Sequence, residues 1–174
     1  MPSSRILKGI LYPLVLLTTA AGYSATHDDV QRLNKRLSPG DKIECKMLWE
    51  PESSKGKLAI ERTLRFQLVS SEGNTRIFDT EEALSKAGDK TPNVIIRYRM
   101  SATTGSTGET HQVDASTVNV SAVSSPADAE LIAGQIKQNL TSYQSDSMIS
   151  FTEFPDYTLQ VAPDLPVTSC RVKP

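Results

Sequence analysis

The first candidates for chemistry in this chain of 174 residues are its two histidines. His111 has Glu109 and Asp114 nearby, and an imidazole with two carboxylates can hold a metal ion or assist hydrolysis. Spacings of two and three residues in a loop-to-strand segment are, however, also typical of an ordinary polar surface. We therefore assign no catalytic or metal-binding residue, and a small hydrolase that uses His111 remains an alternative interpretation.

His27 is a candidate of another kind. A chain cut after Ser24 would begin with Ala25, Thr26 and His27. A free amine, two amide nitrogens and an imidazole form a square-planar chelate for Cu(II) or Ni(II). The simpler interpretation is a solvated helix start. The sequence also lacks a Gly-x-Ser-x-Gly motif and a glycine-rich phosphate loop, so we predict no cofactor.

The two cysteines, Cys45 and Cys170, lie near opposite ends of the domain. Redox-active pairs usually sit close together as Cys-x-x-Cys, whereas these are far apart in sequence. In an exported chain two cysteines allow one pairing, and we predict a structural disulfide between them. Since disulfide Cα atoms lie within about 7 Å, the segments around the two residues must be neighbours.

The N-terminal segment has the layout of a secretory signal peptide. Arg5 and Lys8 precede the apolar run 10–17, and the small-residue tract 18–25 follows. The run is shorter than the roughly 20 apolar residues that span a membrane. A signal peptidase reads two positions ahead of the bond that it cuts. Small residues occupy both positions for a cut after Gly22, and also for a cut after Ser24.

The resulting domain division is simple. We predict that residues 1–24 are a signal peptide, with a retained anchor as the alternative. Residues 25–174 then form one exported domain, either periplasmic or secreted.

The charge composition of the chain indicates which classes of partner to expect. The chain has 19 Lys and Arg against 20 Asp and Glu, mixed along its length. Without a basic block we expect no nucleic-acid partner, and membrane contact only if the N-terminal segment is retained. Arg62, Arg65, Arg97 and Arg99 would form a basic strip if their strands paired, although a solvated sheet face is the simpler interpretation.

The elements around these residues predict an α+β fold. Alternation of apolar and polar residues predicts about seven short strands, and such alternation is typical of antiparallel sheets. Met47 and Trp49 share a face with Cys45, either as core residues or as an aromatic anchor at a binding surface. We expect the disulfide to join the first and last strands.

Two or three helices are predicted beside this sheet. A short one follows Thr26, and Asp79 or Thr80 can cap a second that ends at Ala87. The longest spans about 126–143, begins with a cap residue and proline, and packs on the sheet.

Three segments resemble the FidL-like proteins, small enterobacterial proteins with an N-terminal apolar segment and a periplasm-facing domain. They are Ile43-Glu44-Cys45, Ile96-Arg97-Tyr98-Arg99, and the ending from Tyr157 to Val172 that contains Cys170. The chain departs from this family in its 126–143 segment and its better cleavage site. The resemblance implies a periplasmic location and supplies no mechanism.

These observations favour a non-enzymatic exported domain that acts by protein–protein contact, for example as an accessory to a surface or fimbrial system. Its expected partner is another exported or surface protein. One alternative is a periplasmic small-molecule or lipid carrier, which needs an apolar pocket under the long helix. The other alternative is the small hydrolase that uses His111.

Overall fold

The computed structural model describes residues 23–49, 59–106, 108–122, 134, 137–140, 144–161 and 166–173. The elements within these ranges are, in chain order, β1 (Tyr23–Ser24), α1 (His27–Arg36), β2 (Lys42–Trp49), β3 (Ile60–Glu72), β4 (Thr75–Lys86), β5 (Val94–Thr104), β6 (Gly108–Ala122), β7 (Gln144–Glu153), β8 (Asp156–Gln160) and β9 (Thr168–Lys173).

Strands β2 to β9 form a closed, eight-stranded antiparallel barrel. Each strand pairs with the next along the chain, and β9 pairs back to β2 to complete the wall. Cys45 lies directly opposite Cys170 across this last pairing, with their Cα atoms 4.0 Å apart, and the two form a disulfide. The predicted disulfide is confirmed, and it closes the seam between the first and last barrel strands.

The core lies inside the barrel because alternate residues of each strand point inward. In β5 every second residue from Val94 to Thr104 is buried, while Arg97 and Arg99 are exposed. The inward rows of neighbouring strands supply Phe66, Phe78 and Phe151, of which Phe151 is fully buried. An eight-stranded barrel has an interior that side chains can fill, and these rows fill it.

Helix α1 covers one end of the barrel. Thr26 caps it, and its amphipathic stripe buries Val30 and Leu33, which are 0% and 1% exposed. Gln31 donates to the Asn74 side chain in the β3–β4 turn, and Arg32 lies 3.9 Å from the Phe154 ring centroid in the β7–β8 turn. The predicted short helix after Thr26 is therefore present and acts as a plug.

The expected α+β fold is wrong. The sheet is not open but closed on itself, and among the described residues no long helix packs on it. Most of the range 126–143 lies outside the described residues, and its described part contains a short helical stretch at 137–140. Leu140, in that stretch, packs against the core. Among the described residues, no helix has the length and apolar character required to cross a membrane.

The helix predicted to begin at Asp79 or Thr80 is also wrong, because β4 runs through both residues. This strand pairs with β3 on one side and β5 on the other over most of its length. The Asp-Thr-Glu-Glu sequence has the local character of a helix start, but two-sided strand pairing overrides that preference.

Candidate functional site

Two of the residues considered around His111 lie close together in the barrel interior. His111 and Glu109 are two residues apart on β6, so both point inward, and His111 Nε2 lies 3.3 Å from Glu109 Oε2. The His111 side chain is 13% exposed and that of Glu109 is 5% exposed. Asp114 has the other parity, lies on the outer face and accepts hydrogen bonds from Ser116. The structure thus brings together His111 and Glu109 but not Asp114.

Arg76 completes this interior cluster, and sequence analysis missed it. It extends from β4, where its side chain is 2% exposed, and forms an ion pair with Glu109. Arg76 lies opposite Ala102 on β5, which in turn lies opposite His111 on β6. Because Ala102 has a small side chain, the guanidinium can extend past β5 to reach the β6 row.

Several contacts hold the cluster in place. The Arg76 guanidinium lies 5.3 Å from the Phe78 ring centroid, and Ser147 Oγ donates to the backbone carbonyl of Glu109. Two guanidinium nitrogens of Arg76, Nε and Nη1, have no hydrogen-bond partner among the described residues. A buried charge with unpaired donors is costly, so Glu109 is the group that keeps Arg76 inside the barrel.

Burial governs the protonation of the cluster. Burial, together with the positive charge of Arg76, lowers the pKa of His111 to about 4. Burial also lowers the pKa of Arg76 to about 10 and raises the pKa of Tyr157 to about 12. The carboxylate of Asp146 favours an imidazolium, but burial outweighs it. At neutral pH, His111 is therefore uncharged and can donate its Nε2 proton to Glu109.

One hydroxyl lies near His111 without a hydrogen bond to it. Ser145 lies across from His111 on β7, which places a hydroxyl beside an imidazole–carboxylate pair. The buried Ser145 Oγ, however, has no hydrogen-bond partner among the described residues, so the histidine does not activate it. The described part of the chain also contains no group of three or more His, Cys, Asp or Glu side chains suited to a metal.

The possible chelate at His27 does not fit the fold. The backbone N–H of Ala25 donates to the Ile149 carbonyl, and the backbone N–H of Thr26 donates to Asp29. His27 Nδ1 lies 3.0 Å from the Gly105 carbonyl at the plugged end of the barrel. Three of the four nitrogens that a Cu(II) chelate would require are thus engaged in other contacts around the start of α1.

The outer wall carries a charge ladder rather than the basic strip considered above. We call the row Glu44, Arg65, Glu81 and Arg97 the outer ladder; its members lie side by side on β2, β3, β4 and β5. Arg65 Nη1 is 3.0 Å from Glu81 Oε1, and Arg97 Nη2 is 2.7 Å from Glu81 Oε2. Alternating signs neutralise the row.

The other two arginines of the expected strip also have acidic partners. Arg99 pairs with Asp79 on the outer face at 2.9 Å, and Arg62 points inward to Glu82 at 2.6 Å. The pKa values of the outer ladder acids reflect the same pairing. Burial opposes ionisation of Glu81, but its hydrogen bonds from Arg97 and Arg65 lower its pKa overall, and a hydrogen bond from Lys173 lowers the pKa of Glu44.

A groove of about 440 Å³ runs along this ladder. Its lining includes Arg65 and Arg97, the acidic Asp79 and Glu81, and Thr117 of β6. The pairing register of β5 with β6 shifts between Arg97 and Arg99, and Thr117 Oγ1 accepts the backbone N–H of Arg99 at this point. The irregularity in the wall therefore coincides with the groove.

Met47 and Trp49 were the other candidate from the sequence for a binding surface. Met47 is half-buried on β2, beside the disulfide. The Trp49 side chain lies outside the described residues, so its prediction as core or anchor stays a prediction.

Comparison with known proteins adds no family to this description. No protein-family model matches the chain, and no curated protein gives a significant match.

Proposed function

We propose that this chain is an exported, non-enzymatic domain that binds another exported protein through the groove beside the outer ladder. The observation that carries the proposal is the contrast between the two faces of the wall. The polar groups of the described interior are enclosed by the barrel, whereas the charged groups outside border an open groove. The site that remains available for an activity is external.

The shape of the groove favours a protein over a small molecule. Small-molecule sites enclose most of the ligand surface. This groove is open and bordered by paired charges, which suit an electrostatically complementary protein surface. The partner should carry both acidic and basic side chains, because the groove presents Arg65 and Arg97 beside Asp79 and Glu81.

The packing near α1 argues against a carrier at that end of the barrel. Leu68, Ile149 and Phe151 point inward there and are at most 1% exposed. A water-sized space beside these side chains would leave part of their surface accessible. A lipid or other apolar ligand would have to displace them, at a free-energy cost typical of disrupting a packed core.

The proposed location follows from the cysteines and the leader. The Cys45–Cys170 disulfide is consistent with an oxidising, exported compartment. Together with the signal-like N-terminal segment, it supports a periplasmic or secreted domain. A periplasmic location is also what the resemblance to FidL-like proteins implies.

Site-specific photocrosslinking in the exported fraction tests the proposal. A photoreactive residue replaces Thr117, at the groove, or Ser169, an exposed residue on β9. We expect a discrete adduct from position 117 and none from position 169. Mass spectrometry would then identify the partner and the partner segment that is crosslinked.

A pair of charge reversals makes the test specific. Arg97→Glu changes a groove side chain that is 54% exposed, and Arg171→Glu changes an 80% exposed side chain on β9 as the matched control. The adduct at position 117 should be lost with the first change and kept with the second. An adduct that survives Arg97→Glu, or no adduct at the groove at all, would refute binding at this surface.

A further inference from the structure

The fold distinguishes the two cut positions that the leader sequence allows. A cut after Gly22 has small residues at the two positions before it that a signal peptidase reads, Ala20 and Gly22. A cut after Ser24 has Gly22 and Ser24 at those positions. The sequence therefore permits both, and the difference between them is whether residues 23 and 24 remain in the protein.

These two residues belong to the barrel. They form β1, in which Tyr23 lies opposite Phe151 and Ser24 lies opposite Ser150 on β7. Strand β6 pairs with β7 only from Gln144 to Met148, so β1 continues the wall where β6 no longer covers its neighbour. A cut after Ser24 would remove this pairing.

The same cut would also turn an internal amide at the barrel wall into a charged N-terminus. Ala25 is 2% exposed, and its backbone nitrogen donates to the Ile149 carbonyl at 2.9 Å. As a new N-terminus it would be an ammonium group with further protons to satisfy. The neighbouring carboxylate, Asp29, already accepts from the backbone and side chain of Thr26, at 3.0 and 2.7 Å. Burial of a charge without a dedicated partner is unfavourable.

We propose that the chain is processed at the Gly22–Tyr23 peptide bond. A signal peptidase hydrolyses this bond with one water molecule, which leaves a carboxylate on Gly22 and a free amine on Tyr23. The folded protein then keeps β1, and Ala25 stays an internal amide. This inference rests on the export included in the proposed function, and it moves the domain boundary from residue 25 to residue 23.

The test starts with the full chain expressed with its leader in a bacterial host. Intact mass and N-terminal sequencing of the exported fraction should give a protein that begins at Tyr23. A protein that begins at Ala25 would overturn the inference, as would a full-length chain in the exported fraction. A full-length chain found only in the cytoplasm would overturn the export as well, so the two failures are distinguishable.

Two matched leucine substitutions test the position independently. Gly22→Leu places a large side chain directly before the proposed cut and should cause uncut precursor to accumulate. Ser24→Leu changes an exposed residue and blocks only a cut after residue 24, so processing should proceed as in the unmodified chain. Pulse-labelling measures the ratio of precursor to processed protein. Because Gly22 is read for either cut, Ser24→Leu is the discriminating change, and precursor that accumulates with both substitutions would place the cut after Ser24.

Discussion

The ion pair between Arg76 and Glu109 should be one of the most sensitive points in the fold. Their side chains are 2% and 5% exposed, so either charge would be buried alone if the other were removed. Removal of one partner from a buried pair costs about 3–5 kcal/mol. We therefore expect Arg76→Met to lower the free energy of unfolding by about 4 kcal/mol, or roughly 10 °C in melting temperature for a domain of this size.

Urea denaturation of matched variants measures this effect. Arg97→Met removes an arginine of the outer ladder that is 54% exposed, and it should cost at most about 1 kcal/mol. The double variant Arg76→Met with Glu109→Met removes both buried charges and should regain most of the loss. If Arg76→Met destabilised no more than Arg97→Met, the buried pair would not hold the interior as described. A double variant no more stable than Arg76→Met would also contradict this interpretation of the buried pair.

Three further predictions concern the seam, the interior histidine and the plug. Replacing Cys45 and Cys170 by Ala opens a loop with a sequence separation of 125, and urea denaturation should show a loss of up to about 5 kcal/mol. The pKa of His111 is lowered to about 4 in the folded protein, so the unfolded chain binds the His111 proton more readily. The free energy of unfolding should therefore fall by about 3 kcal/mol in total as the pH drops from about 6.5 to 4. Melting curves against pH should flatten in this window for His111→Gln and not for a change at the exposed His27. Leu33→Ala should lower the free energy of unfolding by about 2–5 kcal/mol, because Leu33 is 1% exposed beneath α1; a cost below 1 kcal/mol would show that the helix is not a plug.

Local patterns in the sequence predicted the strands better than their arrangement. Alternation around Cys45 predicted a strand there, and the structure places Cys45 on β2 with 0% exposure. An open sheet and a closed barrel have the same inward-outward alternation, so the pattern could not distinguish them. The pairing of Cys45 with Cys170 required the first and last strands to be neighbours, a condition that closure satisfies directly.

The interior polar residues explain the main local error and the incomplete site. Arg76, Thr80 and Glu82 all point into the barrel from β4, so its inward row does not look apolar. His111 and Glu109 were found together because residues two apart on a strand share a face. Arg76 comes from another strand, and only the shared parity of Arg76 with Phe78 indicated that it points inward.

Closure by the last strand has a consequence for how the protein is made. The pairing partner of β2 is β9, so the wall stays incomplete until the final residues of the chain are available. A chain that crosses a membrane with its N-terminal region first presents the unpaired edge of β2 and the Cys45 thiol before Cys170 arrives. During that interval the edge is open to pairing with other strands, and the thiol to exchange with other disulfides. If the chain is exported as proposed, protection of β2 and Cys45 before β9 is available should therefore affect the yield of this protein.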